Sequence, residues 1–351
     1  MPTLITGLPR RTTPAYESNG VLFAAAVFLQ LVALFLPGMP GLVSAQEKIV
    51  LPNSPPFIQK PNPNKLVVFI HGIKGDPVET WDNEDQKFFW PRKLAEDPDF
   101  QNADVLSFGY ESECGPSLNI REIATHLHTT LEAAVAKIPY RSLSFVAHSM
   151  GGLVVREFIL THLHKLKVPL DSMVLLSTPN WGSSLANVAK AFCESDSLMD
   201  LRDGRSGYLD SLNDRWREQF EQPDSVKPFH FAAGYELVPL SWFTGRIVEK
   251  ESAIAFAHQV SAFKKDHSTI AKLNGLSDPV YTWVKGRLLK AAPSPQEKPL
   301  SEAEEQRYTE IIGKLQEELR GTDLERALNL LAEDRLDDAL VLLSEKENAE
   351  E

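Results

Sequence analysis

The chain has 351 residues, 43% of them hydrophobic and 24% charged. This is ordinary globular usage, which excludes disorder throughout and lets a core form without metals or disulfide staples. The net charge of −12 is concentrated, because 301–351 hold 16 acidic and six basic residues; the rest is near neutral and offers nucleic acid no basic surface to track.

Residues 1–45 read as an address. Arg10-Arg11 precede an apolar run over 21–36 that only Gln30 interrupts, then come Pro37, Gly38, Pro40 and Gly41, then Val43-Ser44-Ala45. Basic, apolar and small-residue regions in that order predict a signal peptide cleaved after Ala45 and a secreted or periplasmic protein. The alternative is an uncleaved membrane anchor through 21–36, although that run is short of the ~20 residues that span a bilayer.

Residues 46–64, rich in Pro and Asn, read as an extended linker. Beyond them, nearly all-apolar runs at 66–70, 104–110, 143–147, 173–177 and 229–233 predict strands covered on both faces. Helical periodicity at 120–137, 152–166 and 270–288 supplies the crossovers, so 65–290 predict an α/β domain with a mostly parallel sheet. An insertion at 181–226 carries helical spacing (Leu209, Leu212, Trp216, Phe220) and sits where either a lid or a plain extra helical layer could lie.

A Pro-rich break at 291–300 closes that domain. The acidic 301–351 then show apolar residues at helical spacing, among them Ile311, Leu315, Leu324, Leu328 and Leu331, and resemble half of a tetratricopeptide-type helix pair. They read as a small helical module for a protein partner or for self-association. Cys114 and Cys193 exclude a disulfide framework, and no CxxC pair offers the usual zinc spacing. They read as unpaired thiols, with one bridge as the alternative if the chain is exported.

The chemistry concentrates at Ala147-His148-Ser149-Met150-Gly151, where an apolar strand meets an amphipathic helix. This is the context of a nucleophile elbow, whose central serine takes strained backbone angles and whose neighbours two positions away must be small. A hydroxyl needs a base within hydrogen-bond reach and donors for the oxyanion it creates. The backbone N–H of Met150 is one donor, and that of Ile73, in the loop Ile70-His71-Gly72-Ile73, is the second. His71 reads as the side chain that orients this oxyanion loop together with Gly72.

The base must come from downstream. His162 and His164 fall late in a helix, His230 falls in a strand, and His258 sits in apolar surroundings that suit a structural role. His267 stands at a polar turn before the last helix and is the candidate. The pairs His126/His128 and His162/His164 are two apart, which faces them away from each other on a helix and disfavours metal binding. Two carboxylates compete as the acid: Glu236, just beyond a predicted strand end, and Glu249.

These residues resemble the serine-active-site-containing, lipase-like α/β-hydrolases and, more distantly, the glycosylphosphatidylinositol inositol-deacylases. The resemblance spans about 65–289 and rests on several ordered motifs. They are Val68-Phe69-Ile70-His71-Gly72-Ile73 with Thr80-Trp81, Phe108-Gly109-Tyr110, Phe145 to Val154 around Ser149, Ser177-Thr178-Pro179-Asn180-Trp181-Gly182, Tyr235-Glu236, Val248-Glu249 and Asp266-His267-Ser268. It implies Ser149 as nucleophile, His267 as base and Glu236 as acid, with Glu249 at the family's other acidic position. Leu237-Val238-Pro239 stands where the family usually has Thr-Leu-Pro.

The expectation is therefore an α/β-hydrolase that cleaves carboxylic esters of lipid or other acyl substrates through an acyl-enzyme, with no cofactor or metal. An acyltransferase or thioesterase on the same residues is the rival enzyme. An adaptor that works through the C-terminal helices is the rival from another class.

Overall fold

The computed structural model describes residues 56–113, 119–193, 207–222, 229–241, 245–290 and 300–350. The expected signal or anchor at 1–45 and most of the linker at 291–300 lie outside these residues. Among the described residues no helix is long and apolar enough to cross a membrane.

A seven-stranded sheet forms the centre, in the order β1-β5-β2-β6-β7-β8-β9. Its strands are β1 (Phe57–Ile58), β2 (Lys65–Ile70), β5 (Ala103–Phe108), β6 (Ser142–His148), β7 (Leu170–Leu176), β8 (His230–Glu236) and β9 (Gln259–Phe263), while β3 (Asp82–Asn83) and β4 (Phe88–Phe89) pair separately. Only β1 runs antiparallel within the sheet. Of the sheet's seven strands two lie outside the five expected, β1, inside what read as linker, and the edge strand β9; the short pair β3 and β4 was not expected either.

Side chains alternate across a strand, so β2 feeds two layers at once. Leu66, Val68 and Ile70 join one apolar cluster. Val67 and Phe69 join the other, where Phe69 meets Trp81 and Trp90 edge-on at 5.2 and 4.8 Å between ring centres. The first layer is closed by α2 (Ile120–Val135) and α3 (Gly151–Thr161), the second by α1 (Trp90–Glu96) and α8 (Pro279–Leu289).

Asn119 caps α2 by accepting from the Arg121 N–H. The helix expected at 152–166 breaks at His162 into α3 and α4 (Leu163–Leu166). The one expected from Ile270 starts only at α8, because Asp278 caps it and Pro279 fits its first turn; 270–277 are turns.

The insertion contributes α5 (Gly182–Phe192) and α6 (Tyr208–Phe220). In α6, Leu212 and Trp216 are fully buried. Glu157 of α3 accepts from Arg215 at 2.5 Å and from the Tyr208 hydroxyl at 3.1 Å. The buried Arg156 guanidinium lies 4.9 Å from the Trp216 ring and 4.7 Å from Phe256, and it donates to Asn180 Oδ1 at 2.8 Å. Thus α6 belongs to the packed body.

A short helix, α7 (Lys250–Ala253), precedes β9, and α9 (Glu302–Glu318), α10 (Gly321–Ala332) and α11 (Leu336–Glu350) form the tail. A capping box between Ser301 and Glu304 opens α9. The tail's apolar face, including Tyr308, Ile312, Leu315 and Leu331, belongs to the same buried cluster as β2, β6 and β8.

Candidate active site

Strand β6 delivers Ser149 at its carboxyl end, and the chain there turns left-handed, with φ +52° at Ser149, before Met150 returns to helical angles. A non-glycine residue in that region is strained and persists only where its surroundings fix it. Here the Ser149 N–H donates to the Leu176 carbonyl at 2.9 Å, and the Gly152 N–H to the Ser149 carbonyl at 3.1 Å. The smallness expected around the elbow has a specific cause. A Cβ at Gly151 would overlap the carbonyl oxygens of His71 and Ile70, and one at Gly72 would stand 2.7 Å from Ser149 Cβ.

His267, in the loop after β9, comes to Ser149 from the other side. The Ser149 hydroxyl donates to His267 Nε2 at 2.9 Å, and Nδ1–H donates to Glu236 Oε1 at 3.2 Å. All three side chains are buried. The carboxylate fixes this tautomer: ionised Glu236 can only accept, so Nδ1 carries the proton and Nε2 is left to accept from the hydroxyl.

Glu236 ends β8, and its Oε1 also accepts the Val248 N–H at 2.8 Å. Burial works to raise the Glu236 pKa. The electrostatic interaction with His267, the hydrogen bonds from His267 and Ser177, and the Val248 N–H outweigh it, so the carboxyl lies below its ordinary value. Ser177 Oγ and Glu236 Oε2 are both buried without a bond of good geometry, so the serine's contribution is weak. Glu249, the other expected acid, is exposed; its N–H donates to Ser184 Oγ at 3.4 Å and its carboxylate makes no bond to His267.

Two further histidines lock the surroundings. His71 stacks on Tyr110 at 4.1 Å with rings 6° from parallel, donates from Nδ1 to the Gly72 carbonyl at 2.9 Å and accepts the Tyr110 N–H at Nε2 at 3.3 Å. The Tyr110 hydroxyl donates back to the His71 carbonyl at 2.7 Å. These four contacts fix the loop Gly72-Ile73. Burial lowers the His71 pKa to about 4, against the Gly72 bond and Asp76, which raise it, so the ring is neutral. His148, read only as the neighbour of the nucleophile, donates from Nε2 to the His267 carbonyl at 2.7 Å. Burial and then the electrostatic interaction with His267 lower its pKa to about 3.

The N–H groups of Ile73 and Met150 have no acceptor among the described residues. A cavity of about 210 Å³ opens over Ser149 and His267, with Ile73, Phe192 and Ala271 as apolar lining and Lys74, Asp76 and Lys272 among its charged lining. Phe192, the last residue of α5, has its ring 5.7 Å from that of His267. The next residue, Cys193, is disulfide-bonded, which corrects the expectation of unpaired thiols; Cys114 lies outside the described residues.

The remaining histidines stand elsewhere. His128 and His162, each expected to face away from its nearest histidine in sequence, stack on each other across α2 and α3 at 4.9 Å. Neither lines the cavity. Tyr110 and His148 carried a signal in the sequence, since both sit inside the motifs around the oxyanion loop and the elbow.

A parallel sheet in this strand order, with a nucleophile elbow after a central strand and a histidine loop after a later one, is the α/β-hydrolase fold. A family model described as "Putative serine esterase (DUF676)" matches residues 60–193, which hold the oxyanion loop and the elbow. The chain thus has the α/β-hydrolase fold.

No curated protein matches the chain. Among solved structures it is similar to the phospholipase PlaB of Legionella pneumophila, with 17% identity and a TM-score of 0.38 over 50% of this chain and 40% of that one. It is also similar to the lipase BlEst2 of Bacillus licheniformis in mature form, with 17% identity and a TM-score of 0.44 over 65% of this chain and 94% of that one. A third is the lin2722 gene product of Listeria innocua, with 14% identity and a TM-score of 0.43 over 67% and 96%. The chain thus spans less than half the length of the Legionella protein.

Proposed function

We propose that this chain is an ester hydrolase that works through Ser149, His267 and Glu236 on acyl esters of the lipid class. The observation that carries the reading is the bond of 2.9 Å between Ser149 Oγ and His267 Nε2 inside a buried, carboxylate-backed pair. Ser149 Oγ attacks the ester carbonyl while its proton passes to His267 Nε2. Glu236 stabilises the imidazolium and holds its tautomer without taking the proton. The N–H groups of Met150 and Ile73 receive the oxyanion, and one such donor contributes about 2.7–4 kcal/mol to the transition state.

The tetrahedral intermediate collapses as His267 gives its proton to the departing alcohol. Water then attacks the acyl-enzyme by the same route in reverse, releasing the acid and regenerating the serine. Ile73, Phe192 and Ala271 give the acyl chain an apolar lining. The disulfide at Cys193 supports an exported protein, because such bonds persist in oxidising compartments.

A fluorophosphonate probe applied to the full chain should label Ser149, and Ser149→Ala should abolish labelling and turnover together. A folded protein that resists the probe would overturn the mechanism. A series of p-nitrophenyl esters from acetate to laurate tests the substrate class: rates that collapse beyond acetate count against a lipid.

A further inference from the structure

The three tail helices contribute none of the residues around Ser149, yet the start of α9 reaches Glu236 by two routes. Tyr235, one residue before Glu236 on β8 and buried, donates its hydroxyl to Glu305 Oε1 at 2.6 Å. Lys250 Nζ bonds Glu305 Oε2 at 2.8 Å and also lies 5.3 Å from the centre of the Tyr235 ring. Lys250 stands two residues after Val248, whose N–H holds Glu236 Oε1. One tail carboxylate therefore grips both the strand that carries Glu236 and the loop that supports it.

We infer that Glu305 is a positioning residue for ester hydrolysis, acting through Tyr235 and Lys250 on the placement of Glu236. The inference rests on the reading of Glu236 as the acid that orients His267.

Successive residues on a strand point to opposite faces, so Tyr235 cannot itself touch the imidazole; what it fixes is the end of β8. Glu236 Oε1 is shared between His267 Nδ1 and the Val248 N–H. Sliding β8 against the 248–250 loop must lengthen one of those bonds. Glu305 ties the two segments together from behind and resists that slide. Burial and then the Glu305 bond push the Tyr235 pKa up to about 12, and the Glu305 bond is the first cause of the raised pKa of Lys250. The ion pair itself is partly exposed, with Lys250 and Glu305 side chains at 34% and 17%. Its direct contribution to stability is therefore small, and its effect is geometric.

The test uses the full chain with p-nitrophenyl butyrate and compares Glu305→Ala with the unsubstituted protein, each with and without Glu236→Gln. Misplacing a catalytic group by a fraction of an ångström should lower kcat about five- to tenfold with KM within about twofold. Glu305→Ala should then cause no further loss in the Glu236→Gln background, because the group it positions is already disabled. Glu305→Gln, which keeps an acceptor for Tyr235, should recover part of kcat. If Glu305→Ala does not fold, Tyr235→Phe takes its place in the same comparison. Unchanged kcat in the folded variant, or the same proportional loss with and without the Glu236 substitution, would overturn the inference. Glu236→Gln turning over as fast as the unsubstituted chain would instead overturn the assignment of the acid on which it depends.

Discussion

Mild acid should destabilise this protein through two rings that flank the nucleophile without joining the reaction. His71 and His148 are buried, and burial lowers their pKa values from 6.5 to about 4 and about 3. In the unfolded chain both rings take up a proton as the pH falls through 6.5; in the folded chain they stay neutral until about 4 and about 3. The unfolded state therefore binds more protons across that window. The stability these neutral rings allow is fully present above 6.5 and is lost as the pH falls toward the folded values.

Integrating from pH 7 to pH 5 gives a loss of about 2 kcal/mol per ring, or about 4 kcal/mol for the pair. The Asp266 carboxyl, raised by burial, works in the opposite sense and offsets part of this. At about 2 °C per kcal/mol for a domain of this size, the pair corresponds to a fall in Tm of about 8 °C. Urea unfolding at several pH values between 7 and 5 measures it directly. In His148→Gln, whose amide can still donate to the His267 carbonyl, the loss should shrink by about half. Equal stability at pH 7 and pH 5, or the same loss in a folded His148→Gln, would refute the reasoning.

Two further outcomes follow from the geometry. Glu236→Gln should lower kcat by about 10³–10⁴ with little change in KM, because an amide favours the wrong imidazole tautomer; Glu249→Gln should leave steady-state rates intact, and the reverse result would move the acid. Gly72→Ala would put a Cβ 2.7 Å from Ser149 Cβ and 3.2 Å from the His148 carbonyl oxygen. Neither backbone can yield, so turnover should vanish and stability fall by about 1–3 kcal/mol in chemical denaturation; a fully active variant would show that the oxyanion loop is not seated as described.

The parallel strands were legible because both of their faces are covered and their sequences run almost wholly apolar. The same rule hid β9. Gln259 and Val260 are exposed on this edge strand, and Ser261 interrupts the rest. The start of α8 was legible in Asp278-Pro279 but was outweighed by apolar spacing upstream. At the site, Ser149 and His267 stand in strand-to-helix and polar-turn contexts that sequence can express. The sequence favours Glu236 over Glu249 from its place just beyond a strand end and from the Tyr235-Glu236 motif, but the distance to His267 that separates them depends on which strand end faces it across the sheet. The tail shows a similar limit. Helical periodicity shows that α9 and α10 have an apolar face but not what covers it, and here Tyr308, Ile312 and Leu315 join the same buried cluster as the sheet.

The crowding at Gly72, which lines the cavity, and at Gly151 behind the nucleophile gives that side different evolutionary prospects from the place of Phe192. On the β2–β6 side, backbone lies against backbone and the smallest added carbon collides with the nucleophile or with a carbonyl. Selection for new substrates finds no room there. At Phe192, which ends α5 beside His267, the cavity is instead lined by a side chain that can be exchanged without moving backbone. Drift in acyl preference among descendants of this chain is expected to accumulate on that helix, leaving the glycines untouched.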